Sequence, residues 1–120
     1  MNDAESLFQM KVAHVGLNAS NAEESRALAE LFTKLMGLPL RETPISHFAG
    51  HLVEVMDGNG MGTHGHIGFS VNNVEKAMAY FAERGMTPLE KTKHFDENGV
   101  CTFVYFKEEI GRFAIHLIQE

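Results

Sequence analysis

The chain has 120 residues, 44% of them hydrophobic, which is the size and composition of a single globular domain rather than a disordered chain. Its net charge of −6 argues against nucleic acid as a partner, because phosphate binding depends on lysine and arginine. The sequence has no dense basic run for a membrane surface, and its single cysteine, Cys101, excludes an internal disulfide bond.

Residues 1–10 are expected to form an N-terminal tail ahead of one domain at 11–120. The segment carries Asp3 and Glu5 and has no long apolar stretch. This pattern argues against a signal peptide or a membrane span and favours a cytoplasmic location.

The first elements expected in chain order are a strand over 11–19 and a helix after it. Ser20 and Glu23 fit a capping box at the start of the helix, and Asn21 is a second residue that could open it. Gly37 is a suitable residue to end it. The helix has one apolar stripe, made of Ala27, Leu28, Leu31, Phe32, Leu35 and Met36.

Short extended pieces are expected over 40–56, and Leu52–Met56 is the clearest strand among them. A glycine-rich connector follows at 57–62. The second half then repeats the order of the first. Its expected elements are a strand at 65–71, a helix that begins after Asn73 and ends by Gly85, an extended piece at 87–94, a hairpin turn at Asp96–Gly99, and strands at 100–107 and 112–119.

A duplicated tetrapeptide relates the two halves. His14-Val15-Gly16-Leu17 and His66-Ile67-Gly68-Phe69 share one pattern, and each opens a strand that precedes a helix. We therefore expect two related modules, at about 11–60 and 63–119.

Four ionisable residues occupy equivalent mid-strand places in these modules: His14, Glu54, His66 and His116. Taken alone, a half-buried strand histidine is more often a structural residue, and Glu54 fits an outward-facing edge strand equally well. The duplication favours their convergence on one divalent metal ion. Imidazole and carboxylate ligands suit Zn, Ni, Co, Mn or Fe(II) without distinguishing them.

The remaining histidines are predicted to have lesser roles. His64 precedes His66 by two residues and is a weak candidate to bind substrate, although a solvated strand edge is the alternative. His47, His51 and His94 are expected on the surface or in loops.

The order and spacing of these segments resemble the vicinal oxygen chelate superfamily, which includes glyoxalase I, methylmalonyl-CoA epimerase, extradiol dioxygenases and the bleomycin-binding proteins. The resemblance covers residues 11–119. It implies an α+β fold in which two βαβββ units form an open, eight-stranded, barrel-like sheet around a cleft. A narrower resemblance, carried by His64–His66 and Glu108–Leu117, is to the glyoxalase-like domain fused to some 2-keto-3-deoxy-6-phosphogluconate / 4-hydroxy-2-oxoglutarate aldolases.

The superfamily resemblance also implies a function. His14, Glu54 and His66 match its metal-ligand pattern, whereas His116 stands where glutamate is usual, which leaves Glu54 as the carboxylate available to move a proton. The implied activity is metal-dependent isomerase, epimerase or lyase chemistry on a small 2-oxo acid, hydroxy carbonyl or sugar acid, in a homodimer. The alternative is a non-catalytic ligand-binding or regulatory module, as in the bleomycin-binding proteins or beside a sugar-acid aldolase.

Overall fold

The computed structural model describes residues 3–120, and its secondary structure divides into two halves of the same order. A short helix, α1 Ala4–Phe8, comes first. The first half then contains one helix and four strands: β1 Lys11–Asn18, α2 Ala22–Met36, β2 Leu40–Glu42, β3 Ser46–Ala49 and β4 Val53–Met56. The second half has the same order: β5 Gly65–Val71, α3 Val74–Ala82, β6 His94–Phe95, β7 Cys101–Tyr105 and β8 Phe113–Gln119, with a 3-10 turn at Glu90–Thr92 before β6.

All eight strands join one sheet in the order β2-β3-β4-β1-β5-β8-β7-β6. The two halves meet at its centre, where β1 and β5 pair antiparallel and Val15 lies opposite Ile67. In each half the first strand pairs in parallel with the last, β1 with β4 and β5 with β8. The predicted fold of two βαβββ units in an open sheet is therefore confirmed, and the two modules pair within one chain.

The helix α2 begins one residue later than the predicted capping box. Asn21, not Ser20, is the N-cap: its side chain accepts a hydrogen bond from the Glu24 amide, and the Glu24 carboxylate accepts one from the Ser20 amide at 2.8 Å. The C-terminal prediction is confirmed, because Gly37 adopts φ 72°, a left-handed conformation that glycine reaches without strain.

The predicted apolar stripe of α2 is largely not its buried face. The residues of α2 that are buried are Ser25 and Ala29, whereas Leu31 and Leu35 are 64% and 80% exposed. The small side chains of Ser25 and Ala29 let the helix lie close to β3 and β4, and the Ser25 hydroxyl donates to the Val55 carbonyl oxygen at 2.7 Å. The face that meets the sheet is therefore the small-residue face, and the most apolar stripe is left partly exposed.

The second helix, α3, is capped by Asn73, which accepts from the Lys76 amide. It buries Val74 and Ala77 against β7 and β8. At 9 residues it is shorter than the 15-residue α2. The sequence predicts this difference, because Gly85 follows Asn73 more closely than Gly37 follows Asn21. The main apolar core lies on this side of the sheet and contains Phe8, Val71, Val74, Ala77, Cys101, Val104, Phe106 and Leu117.

The predicted N-terminal tail needs correction within the described residues. Residues 4–8 form α1, capped by the Asp3 carboxylate, and Phe8 is buried in the core. Its ring meets the Tyr80 ring edge-to-face at 5.4 Å, and its carbonyl oxygen accepts from the Asn72 amide. The hydrophobic contribution of this one aromatic residue explains why the segment packs on the domain.

Two further details concern the second half. The predicted hairpin turn is confirmed, since the Asp96 carboxylate accepts from the Asn98 and Val100 amides and Gly99 has φ 78°. The extended piece predicted over 87–94 is interrupted by the 3-10 turn at Glu90–Thr92. Across residues 3–120, no helix combines the length and apolar character that a membrane crossing requires.

Candidate metal centre

The predicted ligands lie on four neighbouring central strands, since β4, β1, β5 and β8 carry Glu54, His14, His66 and His116 in that spatial order. The Nε2 atom of His14 lies 3.1 Å from that of His66 and 3.2 Å from that of His116. Glu54 Oε1 lies 3.1 Å from His66 Nε2 and 3.5 Å from His14 Nε2. The structure thus brings the three histidine nitrogens together, with the Glu54 carboxylate beside His66 and His14.

These separations fit a divalent metal ion. Two ligand atoms that each bind such an ion at about 2.0–2.1 Å are separated by roughly 2.9 Å at a right angle and 3.4 Å at the tetrahedral angle. The nitrogens of His14, His66 and His116 all lie within 4.8 Å of one another. His14 Nε2 carries at most one proton and cannot donate to both neighbouring Nε2 atoms, so a cation satisfies their lone pairs better than hydrogen bonds among the rings do.

The glycines of the duplicated tetrapeptide make room for these rings. Gly16 pairs with His66 across β1 and β5, and a Cβ added at Gly16 would overlap the His66 ring. Gly68 pairs with both His14 and His116, and a Cβ there would lie 2.5 Å from His116 Nε2 and 2.9 Å from His14 Cε1. Each module therefore supplies a histidine and the space for a histidine of the other.

Glu54 is held by both of its carboxylate oxygens. Ser46, which is fully buried, donates from Oγ to Glu54 Oε2 at 2.7 Å, and the Thr43 hydroxyl lies 2.7 Å from Ser46 Oγ. Burial raises the pKa of the Glu54 carboxyl, but hydrogen bonds from His66 and Ser46 and the nearby histidines outweigh burial and hold that pKa below its ordinary value. Glu54 is therefore an anion with Oε1 directed at the histidines.

The pKa values of the His116 and His14 imidazoles are lowered, so these two rings are neutral near pH 7. Burial, followed by repulsion from His14 and His66, lowers the pKa of His116 to about 3. Burial and then His66 likewise lower the pKa of His14, while Glu54 opposes the shift. Neutral imidazole is the form that binds metal. The Nδ1 atoms of His66 and His116 are buried without a hydrogen-bond partner among the described residues, which leaves Nε2 as the atom each ring directs to the cluster.

A cavity of about 350 Å³ lies over the cluster. Besides the four predicted residues, it is lined by Ile45, Met56, Met61, Thr92, His94, Phe103 and Tyr105. These walls were not predicted from the sequence. One signal was available, because Phe103 and Tyr105 alternate along the predicted strand at 100–107 and therefore share one of its faces.

The other histidines fall outside the cluster. His64, the weak substrate-binding candidate, is exposed beside the Phe113 ring and is not among the residues that line the cavity. His51 and His94 are exposed, as expected, although His94 also lines the cavity rim.

The expectation for His47 is wrong, because it is only 3% exposed. Its Nε2 lies 3.0 Å from a Glu42 carboxylate oxygen, and its Nδ1 lies 3.1 Å from Asp57 and 3.0 Å from the Ser25 hydroxyl. These contacts join α2, β2 and β3 to the residue that follows β4.

The sheet order, the paired modules and the cleft over the central strands define an α+β fold that this chain shares with solved methylmalonyl-CoA epimerases. A methylmalonyl-CoA epimerase from Streptomyces coelicolor, solved with 2-nitronate-propionyl-CoA, superposes with a TM-score of 0.63 at 12% identity over 92% of this chain and 96% of that one. A hypothetical protein from Bacillus halodurans C-125 gives a TM-score of 0.60 at 13% identity over 92% of this chain and 94% of that one. At these identities the likeness establishes the fold alone.

Sequence comparison adds one relative, the trivalent organoarsenical cleaving enzyme of Bacillus sp. (strain MD1). It is 34% identical over 109 residues, which cover 78% of this chain and 61% of the relative. The chain therefore spans about three fifths of the length of that enzyme. No protein-family model matches the chain. The narrower resemblance to aldolase-fused domains stays a prediction.

Proposed function

We propose that the protein is a divalent-metal-dependent lyase or isomerase that acts on a small substrate with vicinal oxygens, such as a 2-oxo acid or a hydroxy carbonyl. The observation that carries this proposal is a cluster of three imidazole nitrogens beneath a cavity, with His14 Nε2 3.1–3.2 Å from the other two and the Glu54 carboxylate 3.1 Å from His66 and 3.5 Å from His14. The metal ligands would be His14, Glu54, His66 and His116.

A divalent ion held there would supply Lewis acidity to two adjacent substrate oxygens. Glu54 is the carboxylate of the cluster, and its Oε1 would take or return a proton when it is displaced from the metal, while Oε2 stays bonded to Ser46. Tyr105 lines the cavity, and burial together with the Glu54 charge raises the pKa of its hydroxyl, so the phenol remains a hydrogen-bond donor to a substrate oxygen.

The first test is the metal content of protein purified without a histidine tag. We expect one divalent ion per chain in the wild type and less than a tenth of that in His66→Ala and in His116→Ala. The matched control is His51→Ala, since His51 is exposed and outside the cluster. A metal-free wild type, with stability unchanged in the cluster variants, would refute the proposal.

A second candidate is a binding module without chemistry. It is favoured by His116, an imidazole at the place where the superfamily resemblance implies a second carboxylate. Turnover separates the two candidates. If Glu54→Gln abolishes turnover of a substrate while that substrate still binds, the protein is an enzyme. A ligand that binds metal-loaded wild-type protein without being converted indicates a binding module.

The organoarsenical relative supports the lyase form of the proposal and names a substrate class to assay. Cys101, the one thiol of the chain, lies in the apolar core and is not among the residues that line the cavity. A trivalent organoarsenical would therefore meet Met56, Met61 and the metal ligands, with no thiolate. A homodimer and a cytoplasmic location stay predictions, and light scattering and cell fractionation test them.

A further inference from the structure

The cavity over the histidine cluster has an aromatic wall from the second module. Phe103 stacks with His116 at 4.6 Å between ring centroids and with His94 at 4.7 Å. Tyr105 meets His116 at 4.9 Å, edge to face. Because the two imidazoles cover the faces of Phe103, a ligand would meet the edges of the Phe103 and Tyr105 rings, beside which an apolar group is favoured.

The first module supplies an aliphatic and thioether wall. Ile45 precedes β3, Met56 ends β4, and Met61 lies in the connector between the modules. Methionine adapts its shape to irregular apolar ligands. Away from the four clustered residues, the polar groups among the lining residues are the Thr92 and Tyr105 hydroxyls and the His94 ring, which can bond to uncharged oxygens.

The charges of the cavity are confined to the cluster. None of its lining residues in the described part of the chain is lysine or arginine. A divalent ion held by three imidazole ligands, which are neutral when they bind metal, and by the Glu54 carboxylate would leave a net charge of one positive unit, which balances one anionic group. A second anionic group would be placed between apolar walls without a counter-ion, and an unpaired charge in such surroundings is costly.

We infer, on the basis of the proposed function, that the cavity takes a small substrate whose vicinal-oxygen head carries at most one negative charge and whose remainder is uncharged and apolar. Phosphorylated sugar acids, dicarboxylic oxo acids and other doubly anionic compounds should bind more weakly, because the walls offer a second charge no lysine or arginine. Met61 and Phe103 are the residues that set this specificity, because each contributes an uncharged apolar side chain to one of the two walls.

The test compares two acids with the same chelating head and nearly the same length. 2-Oxopentanoate ends in a methyl group, and 2-oxoglutarate carries a carboxylate in its place. Full-length protein loaded with Co²⁺ is titrated with each acid by calorimetry, and the Co²⁺ absorption spectrum reports whether the ion stays bound. We expect 2-oxopentanoate to bind at least about tenfold more tightly, a difference of about 1.4 kcal/mol.

Two variants sharpen the comparison. Met61→Arg places a cation on the apolar wall and should raise the affinity for 2-oxoglutarate about tenfold or more, whereas Met61→Gln, similar in length but uncharged, should not. Phe103→Ala should weaken 2-oxopentanoate about tenfold without changing the Co²⁺ stoichiometry.

The outcomes separate this inference from the proposed function. Co²⁺ that binds stoichiometrically, with equal affinity for the two acids or with binding of neither, overturns the substrate class and leaves the metal site standing. Protein that takes up no Co²⁺ overturns both. A Met61→Arg variant with unchanged preference also contradicts the role assigned to that wall.

Discussion

Gly16 lies opposite His66 where β1 pairs with β5, and the His66 ring occupies the space that a side chain at position 16 would need. Gly16→Ala should therefore displace the ring, lower the affinity for metal at least about tenfold and cost about 1–3 kcal/mol of stability through overpacking. Isothermal titration with a divalent metal and urea denaturation measure the two effects.

The control for this prediction is a double variant. In His66→Ala the ring is absent, so adding Gly16→Ala to it should cost much less stability than Gly16→Ala costs in the wild type. Equal costs in the two backgrounds would mean that the glycine serves the strand itself and not the ring.

Ser46 orients Glu54 through the 2.7 Å hydrogen bond to Oε2 and leaves Oε1 for the histidines. Ser46→Ala frees the carboxylate to rotate, and removing such a supporting contact typically weakens metal affinity about 10–100-fold. Metal titration monitored by calorimetry should show this loss. Thr43→Val is the comparison, because Thr43 contacts Ser46 but not Glu54, and its effect should be smaller. Unchanged affinity in Ser46→Ala would contradict the role of Ser46.

The duplicated histidines could be predicted because the repeated tetrapeptide and the strand pattern around it are visible in short segments of the sequence. His14, Glu54, His66 and His116 all lie within strands, and the pairing of like modules places these strands side by side. Gly16 and Gly68, each between two apolar residues, belong to the same repeated tetrapeptide. Their role as space for a ring of the other module needed the register of β1 and β5, which no local pattern specifies.

Two other features depended on contacts between distant segments. The apolar periodicity of α2 marks one face of the helix, but the hydrogen bond from Ser25 to the Val55 carbonyl turns a different face to the sheet. The alternation of Phe103 and Tyr105 puts them on one face of a strand, but whether this face meets the cleft depends on how the sheet curves. His47 was misplaced for the same reason, since its partners are 5 to 22 residues away in sequence.

The buried His116 predicts how metal-free protein responds to acid. Its pKa is about 3 in the folded state, against 6.5 as the ordinary value, so between these limits the unfolded chain binds more protons than the folded one. Stability should therefore fall as pH falls from about 6.5 towards 3, with a contribution from His116 of at most about 1.4 kcal/mol per pH unit. Urea denaturation of chelator-treated protein between pH 7 and 5 measures the slope. His116→Gln should reduce it, and equal slopes in the two proteins would mean that His116 titrates normally when folded.

His47 predicts a loss of stability that is separate from the metal site. His47→Leu keeps an apolar side chain of similar size but removes the ring that contacts Ser25, Glu42 and Asp57. The buried Ser25 hydroxyl keeps its bond to Val55, so the expected cost is about 1–3 kcal/mol, typical of buried polar groups that lose one partner. Denaturation midpoints should show this loss, while His51→Leu, at an exposed position, should stay within about 0.5 kcal/mol of the wild type.

Metal stoichiometry should be unchanged in both, because neither ring belongs to the cluster of His14, His66 and His116. Loss of metal from folded His47→Leu protein would show that this network helps to hold the ligand strands in register.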